Sequence, residues 1–414
     1  MTGGGRLVAR TTRLDEEHDL LDVAGNGGLL FESTRHGIAG RGEALRIRLP
    51  AGRARATGAA GVVAEALAAI EGDDEVRRPG TGAVAFAALP FDDGAPACAT
   101  VPATVVGKDA DGTRWLTRID PVGSPPADHQ LAPAQPSAGA GPSRFAVTSS
   151  LPPEVWCEAV AAARDRIRAG ELTKVVLARE VVVDADRPIS PVEVVGRLRA
   201  AYPSAYRFSM DGFVGASPEL LVSRAGDVVR SQPMAGTAPR SGDPTADARL
   251  AASLLASTKD LSEHRITIDA VLDTLLPFCS YVDAEADPSV VSVANVQHLA
   301  TLVEGRLSSP PASALALATA LHPTPAVGGA PRAAALALRA ELESLDRRRY
   351  AGPVGWVDAA GNGTFAVAVR CAELDGRRAR LYAGGGMVAD SDPAAELAET
   401  RAKLQAMLVA IIRP

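Results

Sequence analysis

Two side chains in the sequence have the chemistry of a base and an acid. Lys174 lies in the apolar, strand-like sequence TKVVLAR, where burial would disfavour the ammonium form and leave an amine that accepts a proton. Glu219 precedes the apolar sequence LLV, where a carboxylic acid could keep its proton and donate it. The alternatives are a strand-end lysine that reaches solvent and a carboxylate paired with an arginine such as Arg224. The residues alone leave both alternatives open.

Two glutamates on separate predicted helices and one arginine could bind a cation and an anion. Glu263 and Glu399 carry hard oxygen donors, and Mg²⁺ binds through one or two such carboxylates while it keeps several waters. Arg370 is predicted to share one strand face with Ala366 and Ala368, which would leave room for an anionic ligand. The alternative for all three charged residues is a solvated surface position.

The histidines of the sequence do not form a known catalytic or metal-binding pattern. His298 lies in the strand-like sequence VQHL, and His264 follows Glu263 directly. Because buried histidines usually serve as hydrogen-bonded core residues, we assign His298 a supporting role at most and His264 a structural one. The sequence contains no His-Glu-x-x-His pattern, phosphate-binding loop or Ser-His-Asp signature. The residue pattern therefore indicates an enzyme-like protein with a carboxylate site for Mg²⁺.

The elements that would position these side chains follow no regular strand–helix–strand repeat. Helices mixed with largely antiparallel strands predict an α+β fold. Helices are predicted over 59–71, 152–169, 191–202, 257–279, 333–345 and from Asp392 onward, and strands over 82–91, 173–183, 206–240 and 296–307. The closing segment, 350–403, is predicted to form three strands, a glycine loop at 384–386 and the last helix.

Length and charge limit the class of protein. A chain of 414 residues is too long for one small core. We expect an N-terminal α/β portion of one compound fold over 1–120, a Pro/Ala/Gly-rich linker over 121–150 and a catalytic domain over 151–414. The net charge of −6 and the scattered basic residues argue against nucleic-acid binding.

Hydropathy and cysteine spacing predict the compartment. No apolar run approaches the ~20 residues that span a membrane, and the N-terminus lacks an apolar signal segment, so we expect a cytoplasmic protein. The four cysteines are far apart, which predicts neither a zinc site nor a disulfide framework.

Ten segments between residues 152 and 410 resemble the chorismate-utilising enzymes. This group includes isochorismate synthases, salicylate synthases, anthranilate synthase large subunits and aminodeoxychorismate synthases. The segments are KVVLARE (174–180), SPELLV (217–222), QPMAGTAPR (232–240), TKDLSEH (258–264), VQHLAT (296–301), LHPTPAVGGAP (321–331), YAGPVGW (350–356), FAVAVR (365–370), YAGGGMV (382–388) and ELAETRAKL (396–404). The resemblance implies a large two-lobed α+β fold, built around mostly antiparallel sheets, with Mg²⁺ and chorismate bound between the lobes.

The resemblance also implies a role for each candidate residue. Lys174 looks like the base that activates water, and Glu219 like the acid that protonates the leaving hydroxyl. Glu263 and Glu399 look like the Mg²⁺ ligands. The remaining residues implied to bind substrate are Gly236, Thr237, His298, Ala326, Tyr350, Arg370, Gly384 and Lys403.

A few positions distinguish between the products of the group. Ala235, in PMAGT, stands where similar aminodeoxychorismate synthases carry a nucleophilic lysine, and Ala326 stands where lyase members usually carry threonine. Lys174 favours water over ammonia as the nucleophile. The resemblance therefore implies an isochorismate synthase, monomeric and without an obligatory glutaminase subunit. The alternatives are a salicylate synthase and a catalytically silent chorismate-binding homologue.

Overall fold

Two large β-sheets that share a hydrophobic core form the framework of the protein. The structure, a computed structural model, describes residues 6–124, 141–293 and 296–413. Neighbouring strands pair antiparallel across the described residues, apart from a parallel pairing of residues 8–11 with 71–74. The prediction of an α+β fold with largely antiparallel sheets is confirmed.

The strands and helices alternate irregularly along the chain. The described strands up to residue 124 are β1 (Leu7–Arg13), β2 (Leu29–Glu32), β3 (Gly37–Arg41), β4 (Leu45–Leu49), β5 (Glu71–Asp74), β6 (Val84–Ala88), β7 (Ala97–Val101), β8 (Thr104–Lys108) and β9 (Arg114–Pro121). From residue 141 onward they are β10 (Phe145–Ser149), β11 (Lys174–Ala185), β12 (Tyr206–Met210), β13 (Phe213–Ser217), β14 (Leu220–Ala225), β15 (Val228–Gln232), β16 (Met234–Pro239), β17 (Cys279–Ala284), β18 (Ser289–Val293), β19 (Val296–Ala300), β20 (Val303–Leu307), β21 (Gly329–Ala330), β22 (Pro353–Asp358), β23 (Gly363–Val367), β24 (Cys371–Asp375) and β25 (Arg378–Met387). The described helices are α1 (Leu20–Ala24), α2 (Arg53–Ala68), α3 (Pro153–Arg168), α4 (Pro191–Ala201), α5 (Pro244–Ala256), α6 (Thr258–Leu275), α7 (Ala314–Leu321), α8 (Arg332–Leu342) and α9 (Pro393–Ile412).

Both large sheets contain strands from the N-terminal and the C-terminal parts of the chain. Among the described residues the larger sheet has the order β10-β11-β25-β24-β13-β12-β2-β3-β8-β9-β1-β5, and β21 also pairs with β11. The smaller sheet has the order β17-β20-β15-β14-β23-β22-β6-β7-β4, and β16, β19 and β18 form a third sheet. Because β2 pairs with β12 and β6 with β22, the N-terminal strands continue the sheets of the C-terminal part.

The main hydrophobic core lies between the two large sheets. Phe31, Phe208 and Phe213 of the larger sheet belong to one buried cluster with Phe86 and Phe365 of the smaller sheet. A second cluster packs α1, α4 and α9 on the larger sheet, and a third packs α3 and α8 against β11. Removing these apolar faces from water, at about 25 cal/mol per Å², is the main driving force for the arrangement. Within the described residues, no helix has the length and apolar character needed to cross a membrane.

The predicted helices are largely found, and the differences have local causes. Helices α3, α4, α6 and α8 lie within a few residues of the predicted positions, and a short 3₁₀ turn, Leu276–Phe278, follows α6. Helix α5 was not predicted, although Asp243 caps its N-terminus and Pro244 is its first residue. The Asp-Pro pair there is the same start signal that predicted α9.

Two predictions about the path of the chain are wrong. The glycines at 384–386 do not form a loop, because they continue β25 and pair in register with residues 176–178 of β11. The predicted linker, 121–150, also extends too far, since Phe145–Ser149 form β10 and pair with β11. The middle of that linker, 125–140, lies outside the described residues.

A buried ion pair joins α8 to β11. The guanidinium of Arg347 donates to both carboxylate oxygens of Glu343 at 2.7 Å, and the two side chains are 0% and 1% exposed. The same guanidinium donates to the carbonyl oxygens of Val176 and Val327 at 2.8 and 2.9 Å. It also lies 4.3 Å from the ring centroid of Phe91. Through these buried contacts Arg347 connects its own segment to the segments of Val176, Val327 and Phe91.

We predict that Arg347→Met destabilises the fold by about 3 kcal/mol, because the buried carboxylate of Glu343 then keeps only the longer ion pair with Arg339, at 3.4 Å. Urea unfolding followed by far-UV circular dichroism measures the change as a lower midpoint. Arg230→Met is the control, since its pair with Glu304 is about half exposed and is expected to contribute at most about 1 kcal/mol. Equal midpoints for the two variants would contradict the prediction.

Candidate active site

All twelve site residues predicted from the sequence line one cavity of about 200 Å³. The cavity lies where β11 and β25 of the larger sheet, β16 and β19 of the third sheet, and helices α6 and α9 approach each other. The predicted residues that line it are Lys174, Glu219, Gly236, Thr237, Glu263, His298, Ala326, Tyr350, Arg370, Gly384, Glu399 and Lys403. The fold thus brings together residues that are up to 229 positions apart, from 174 to 403.

The chain crosses between the two large sheets twice at the cavity. It passes from β13 in the larger sheet to β14 in the smaller one at Glu219, and returns from β23 to β24 at Arg370. The two crossings are bonded to each other: Ser217 Oγ donates to the carbonyl of Val367 at 2.6 Å, and Val367 N–H donates to the carbonyl of Glu219 at 3.1 Å. The crossings therefore fix both side chains at the same edge of the core.

Glu219 is a buried carboxylic acid. Burial raises its pKa to about 8, and the nearby charges of Lys174 and Arg370 only partly oppose this effect. The alternative of a pairing with Arg224 is wrong, because the Arg224 guanidinium donates instead to backbone carbonyls, including that of Ala312 at 3.0 Å. At neutral pH the Glu219 carboxyl carries a proton that it can donate.

Lys174 begins β11 and points into the cavity. Its side chain is 3% exposed, so the alternative of a lysine that reaches solvent is wrong. The ammonium donates to Glu263 Oε1 at 2.5 Å, and Glu263 lies one turn into α6. A lysine on a strand and a glutamate on a helix, 89 residues apart, thus form one partly buried ion pair.

Arg370 differs from its predicted position on a strand face. It lies between β23 and β24 with a positive φ of 51°, because the chain leaves one sheet and enters the other at this residue. The side chain is buried, and its Nε and Nη2 have no hydrogen-bond partner among the described residues. Burial lowers the pKa of this guanidinium. A buried cation with free donors at a cavity wall is a suitable site for a carboxylate.

Tyr350 completes the wall beside Arg370. Its ring stacks on that of Tyr382 with centroids 5.4 Å apart and an interplanar angle of 18°. Burial raises the pKa of Tyr350, so its hydroxyl stays protonated and can donate a hydrogen bond. The hydroxyl lies 3.0 Å from the place that a Cβ on Gly384 would take.

The glycines of β25 make room for the charged side chains. A Cβ on Gly385 would lie 2.8 Å from Glu396 Oε2, and a Cβ on Gly386 would lie 2.6 Å from Lys174 Cε. Both distances are shorter than a van der Waals contact. Because glycine has no Cβ, the side chains from β11 and α9 can lie this close to the backbone of β25.

Helix α9 brings a second lysine–glutamate pair to the cavity. Lys403 Nζ lies 2.6 Å from Glu399 Oε1, one helical turn away, and donates to the carbonyl of Gly384 at 2.9 Å. Burial raises the pKa of Glu399, but the charges of Lys403 and Arg370 outweigh burial and leave it below its usual value. Glu399 is therefore a carboxylate at neutral pH.

Two further acids, which are not among the predicted site residues, also line the cavity. Asp260 precedes Glu263 by three residues on α6, and Glu396 precedes Glu399 by three residues on α9. The i, i+3 spacing that places each pair on one helix face was the available signal. Burial and the neighbouring charge of Glu399 raise the pKa of Glu396.

This donor set suits a hard divalent cation. No three His, Cys, Asp or Glu residues in the described ranges are grouped closely enough to enclose an ion. Mg²⁺ needs no such group, because it keeps waters and binds through one or two carboxylates together with its anionic ligand. Glu263 and Glu399 each have one oxygen engaged by a lysine, and no hydrogen bond to the second oxygen is found among the described residues. The residues therefore fit Mg²⁺ and do not fit a closed zinc site.

The backbone of β16 and a neutral histidine form the opposite wall. Gly236 has a φ of 75° at a register shift in the pairing of β16 with β19. His298 Nδ1 lies 3.1 Å from Thr237 Oγ1 and 3.2 Å from the Gly236 carbonyl oxygen. Burial lowers the pKa of His298 to about 3, with Arg370 and Lys403 acting in the same direction, so the ring stays neutral.

His264 is buried and bonded to Thr301 Oγ1 at 2.7 Å, as expected for a structural histidine.

Comparisons with known proteins identify the family of the chain. Residues 126–412 match the sequence profile of the family described as chorismate binding enzyme. A Mycobacterium tuberculosis protein provisionally named isochorismate synthase MenF is 41% identical over 351 residues, which cover 81% of this chain and 88% of that protein. The isochorismate synthase DhbC of Bacillus subtilis is 43% identical over 270 residues, covering 63% of this chain and 68% of that protein.

A solved structure shows the same fold over nearly the whole chain. It is described provisionally as the 2,3-dihydroxybenzoate-specific isochorismate synthase DhbC of Bacillus anthracis, and it aligns with a TM-score of 0.78 and 33% identity. The alignment covers 94% of this chain and 98% of that one. The resemblance that the sequence motifs predicted is confirmed, and the chain belongs to the family of chorismate-binding enzymes.

Proposed function

We propose that the protein is an isochorismate synthase, which converts chorismate to isochorismate with the help of Mg²⁺. The observation that carries the proposal is a buried, protonated Glu219 in one cavity with Lys174 and the unpaired donors of Arg370. The names of the relatives support the same activity. The reaction adds water at carbon 2 of the ring and removes the hydroxyl from carbon 4.

Glu219 is the proposed general acid. The departing hydroxyl must take up a proton to leave as water, and a carboxyl group with a pKa of about 8 carries that proton at neutral pH. Lys174 is the proposed general base: its ammonium must first lose a proton, and the neutral amine then takes a proton from the attacking water. The two residues lie close enough that the charge of Lys174 affects the pKa of Glu219. Proton removal and proton delivery therefore occur within one small cavity.

The remaining residues would bind and orient the dianion. Arg370 and the hydroxyl of Tyr350 are the proposed partners of the enolpyruvyl carboxylate. Glu263 and Glu399 would hold Mg²⁺, which when bound supplies positive charge for the ring carboxylate. Gly236, Thr237, Ala326, Gly384 and Lys403, with His298 as a neutral polar group, are proposed to complete the pocket. Such fixed groups act mainly by orienting the substrate and stabilising its charge.

Two small residues support isomerisation as the end of the reaction. Ala235 and Ala326 both line the cavity, so neither supplies a nucleophilic amine or a hydroxyl there. We also propose a cytoplasmic enzyme that acts as a monomer, on chorismate alone, without a glutaminase subunit.

We predict that purified protein converts chorismate to isochorismate in the presence of MgCl₂, and that excess chelator stops the reaction because Glu263 and Glu399 then lack their cation. Liquid chromatography with standards identifies the product. Salicylate or anthranilate as the main product would contradict the proposal. Tight chorismate binding without turnover, measured by calorimetry, would instead indicate a catalytically silent homologue.

We predict that Lys174→Ala and Glu219→Gln each lower kcat by about 10²–10⁴-fold, the range expected for loss of a general base or acid. Lys259→Ala is the matched control, because Lys259 also lines the cavity but is an exposed lysine without an assigned proton-transfer role. Circular dichroism checks that each variant is folded. Near-normal kcat in either Lys174→Ala or Glu219→Gln would rule out the assigned role of that residue.

We predict that kcat/KM falls as the pH rises through about 8, because Glu219 is active when protonated and ionises above that pH. In Glu219→Gln the residual rate should lack this decline, since the amide does not ionise. Glu396→Gln, which removes another carboxyl of the same cavity, should keep the decline. A decline that persists in Glu219→Gln would show that another group controls it.

A further inference from the structure

Each of the two candidate metal ligands forms an ion pair with a different lysine. Lys174 Nζ lies 2.5 Å from Glu263 Oε1, and Lys403 Nζ lies 2.6 Å from Glu399 Oε1. The pairs come from independent elements, since one joins β11 to α6 and the other lies within α9. The same arrangement thus occurs twice in one cavity, on the two carboxylates that would bind a cation.

Both pairs are partly shielded from water. The side chains of Lys174 and Lys403 are 3% and 13% exposed, and those of Glu263 and Glu399 are 18% and 34% exposed. Lys403 is further fixed by its hydrogen bond to the carbonyl of Gly384. Charges in such places need a counter-ion, because a single charge left there would be poorly solvated. The lysines supply that counter-ion when the cavity holds no metal.

The charges that line the cavity are close to balance. The cationic side chains are Lys174, Lys259, Arg370 and Lys403, and the carboxyls are Glu219, Asp260, Glu263, Glu396 and Glu399. With the proton on Glu219 and every other group in its usual ionised form, four cations face four carboxylates. A dianionic substrate alone would add two uncompensated negative charges, and a divalent cation alone would add two positive ones. Only the two together preserve the balance, since an unpaired charge in a partly buried site is unfavourable.

We propose that Lys174 and Lys403 are internal counter-cations of the metal ligands, which a divalent cation displaces when it binds together with the substrate dianion. The inference rests on the proposed function and adds a positioning role for both lysines. The released ammonium group of Lys403 then faces the incoming anion rather than Glu399, and release from Glu263 frees Lys174 for its proposed role as the base. Metal and substrate should therefore each increase the affinity for the other, as reciprocity requires.

Loss of any positive charge from the cavity could also tighten Mg²⁺ binding. Lys259 distinguishes this general effect from competition between Lys403 and the metal for Glu399. Lys259 lines the same cavity, and its charge acts on Glu396 and Glu399. No ion pair of Lys259 is found among the described residues. Replacing Lys259 therefore removes one positive charge from the cavity, as replacing Lys403 does, but frees no oxygen of Glu263 or Glu399. Lys259→Met is therefore the matched control for Lys403→Met.

The test is calorimetric titration of the folded full-length protein with MgCl₂ in the absence of substrate. If Lys403 competes with the metal for Glu399, Lys403→Met should bind Mg²⁺ at least about fivefold more tightly than the unmodified protein, the lower end of ordinary coupling between sites. Lys174→Met should behave in the same way and serves as the second variant. Lys403→Arg, which keeps the positive charge, should bind Mg²⁺ with the affinity of the unmodified protein. Lys259→Met should change the affinity less than Lys403→Met does.

A second arm measures the coupling with substrate. Glu219→Gln slows turnover, so Mg²⁺ affinity can be measured in this variant with and without saturating chorismate. Chorismate should tighten Mg²⁺ binding in Glu219→Gln, and the gain should be smaller in Glu219→Gln/Lys403→Met, because the second protein has no pair at Glu399 to break.

The outcomes separate this inference from the proposed function. Unchanged Mg²⁺ affinity in both lysine variants, with normal binding by the unmodified protein, would overturn the competition and leave the proposed activity standing. An equal gain in Mg²⁺ affinity in Lys259→Met and Lys403→Met would overturn the competition as well, since the loss of one positive charge from the cavity would then explain both results. Absence of Mg²⁺ binding in every protein, with and without chorismate, would overturn both the inference and the proposed metal site.

Discussion

The site depends on the two places where the chain crosses between the large sheets. β13 and β24 are neighbours in one sheet, and β14 and β23 are neighbours in the other, so the two crossings must lie side by side. The hydrogen bond from Ser217 Oγ to the carbonyl of Val367 fixes their separation. Glu219 and Arg370 are buried because each lies at a crossing, where the backbone turns away from both sheets. Burial at the crossings keeps the Glu219 carboxyl neutral, and it leaves Nε and Nη2 of Arg370 without a hydrogen-bond partner among the described residues.

Much of the candidate site could be predicted from the sequence, because its residues lie in short blocks of recognisable types. Lys174 in an apolar strand and Glu399 on an Asp-Pro-capped helix are features of local sequence, and both residues line the cavity. The helices that carry these blocks could also be predicted, since caps and apolar periodicity are local signals.

The remaining features could not be predicted because they depend on partners far away in the sequence. Arg370 continues an alternating pattern that looks like one strand, and only the second sheet shows that the strand ends before it. The glycines at 384–386 look like a loop until β11 is seen to pair with them. The buried pair of Arg347 and Glu343 is similar: a helix end rich in charge suggests solvent, and the fold supplies the carbonyls of Val176 and Val327 instead.

The sharing of both sheets by the N-terminal strands has a consequence for how the protein can be shortened or fused. Residues 126–412 match the family profile, yet β12 and β22 in that segment have β2 and β6 as neighbours. A fragment limited to the matched segment would leave these two strands as open edges with unpaired backbone groups, a common starting point for aggregation. The boundary of recognisable sequence is therefore not a boundary at which this protein can be cut.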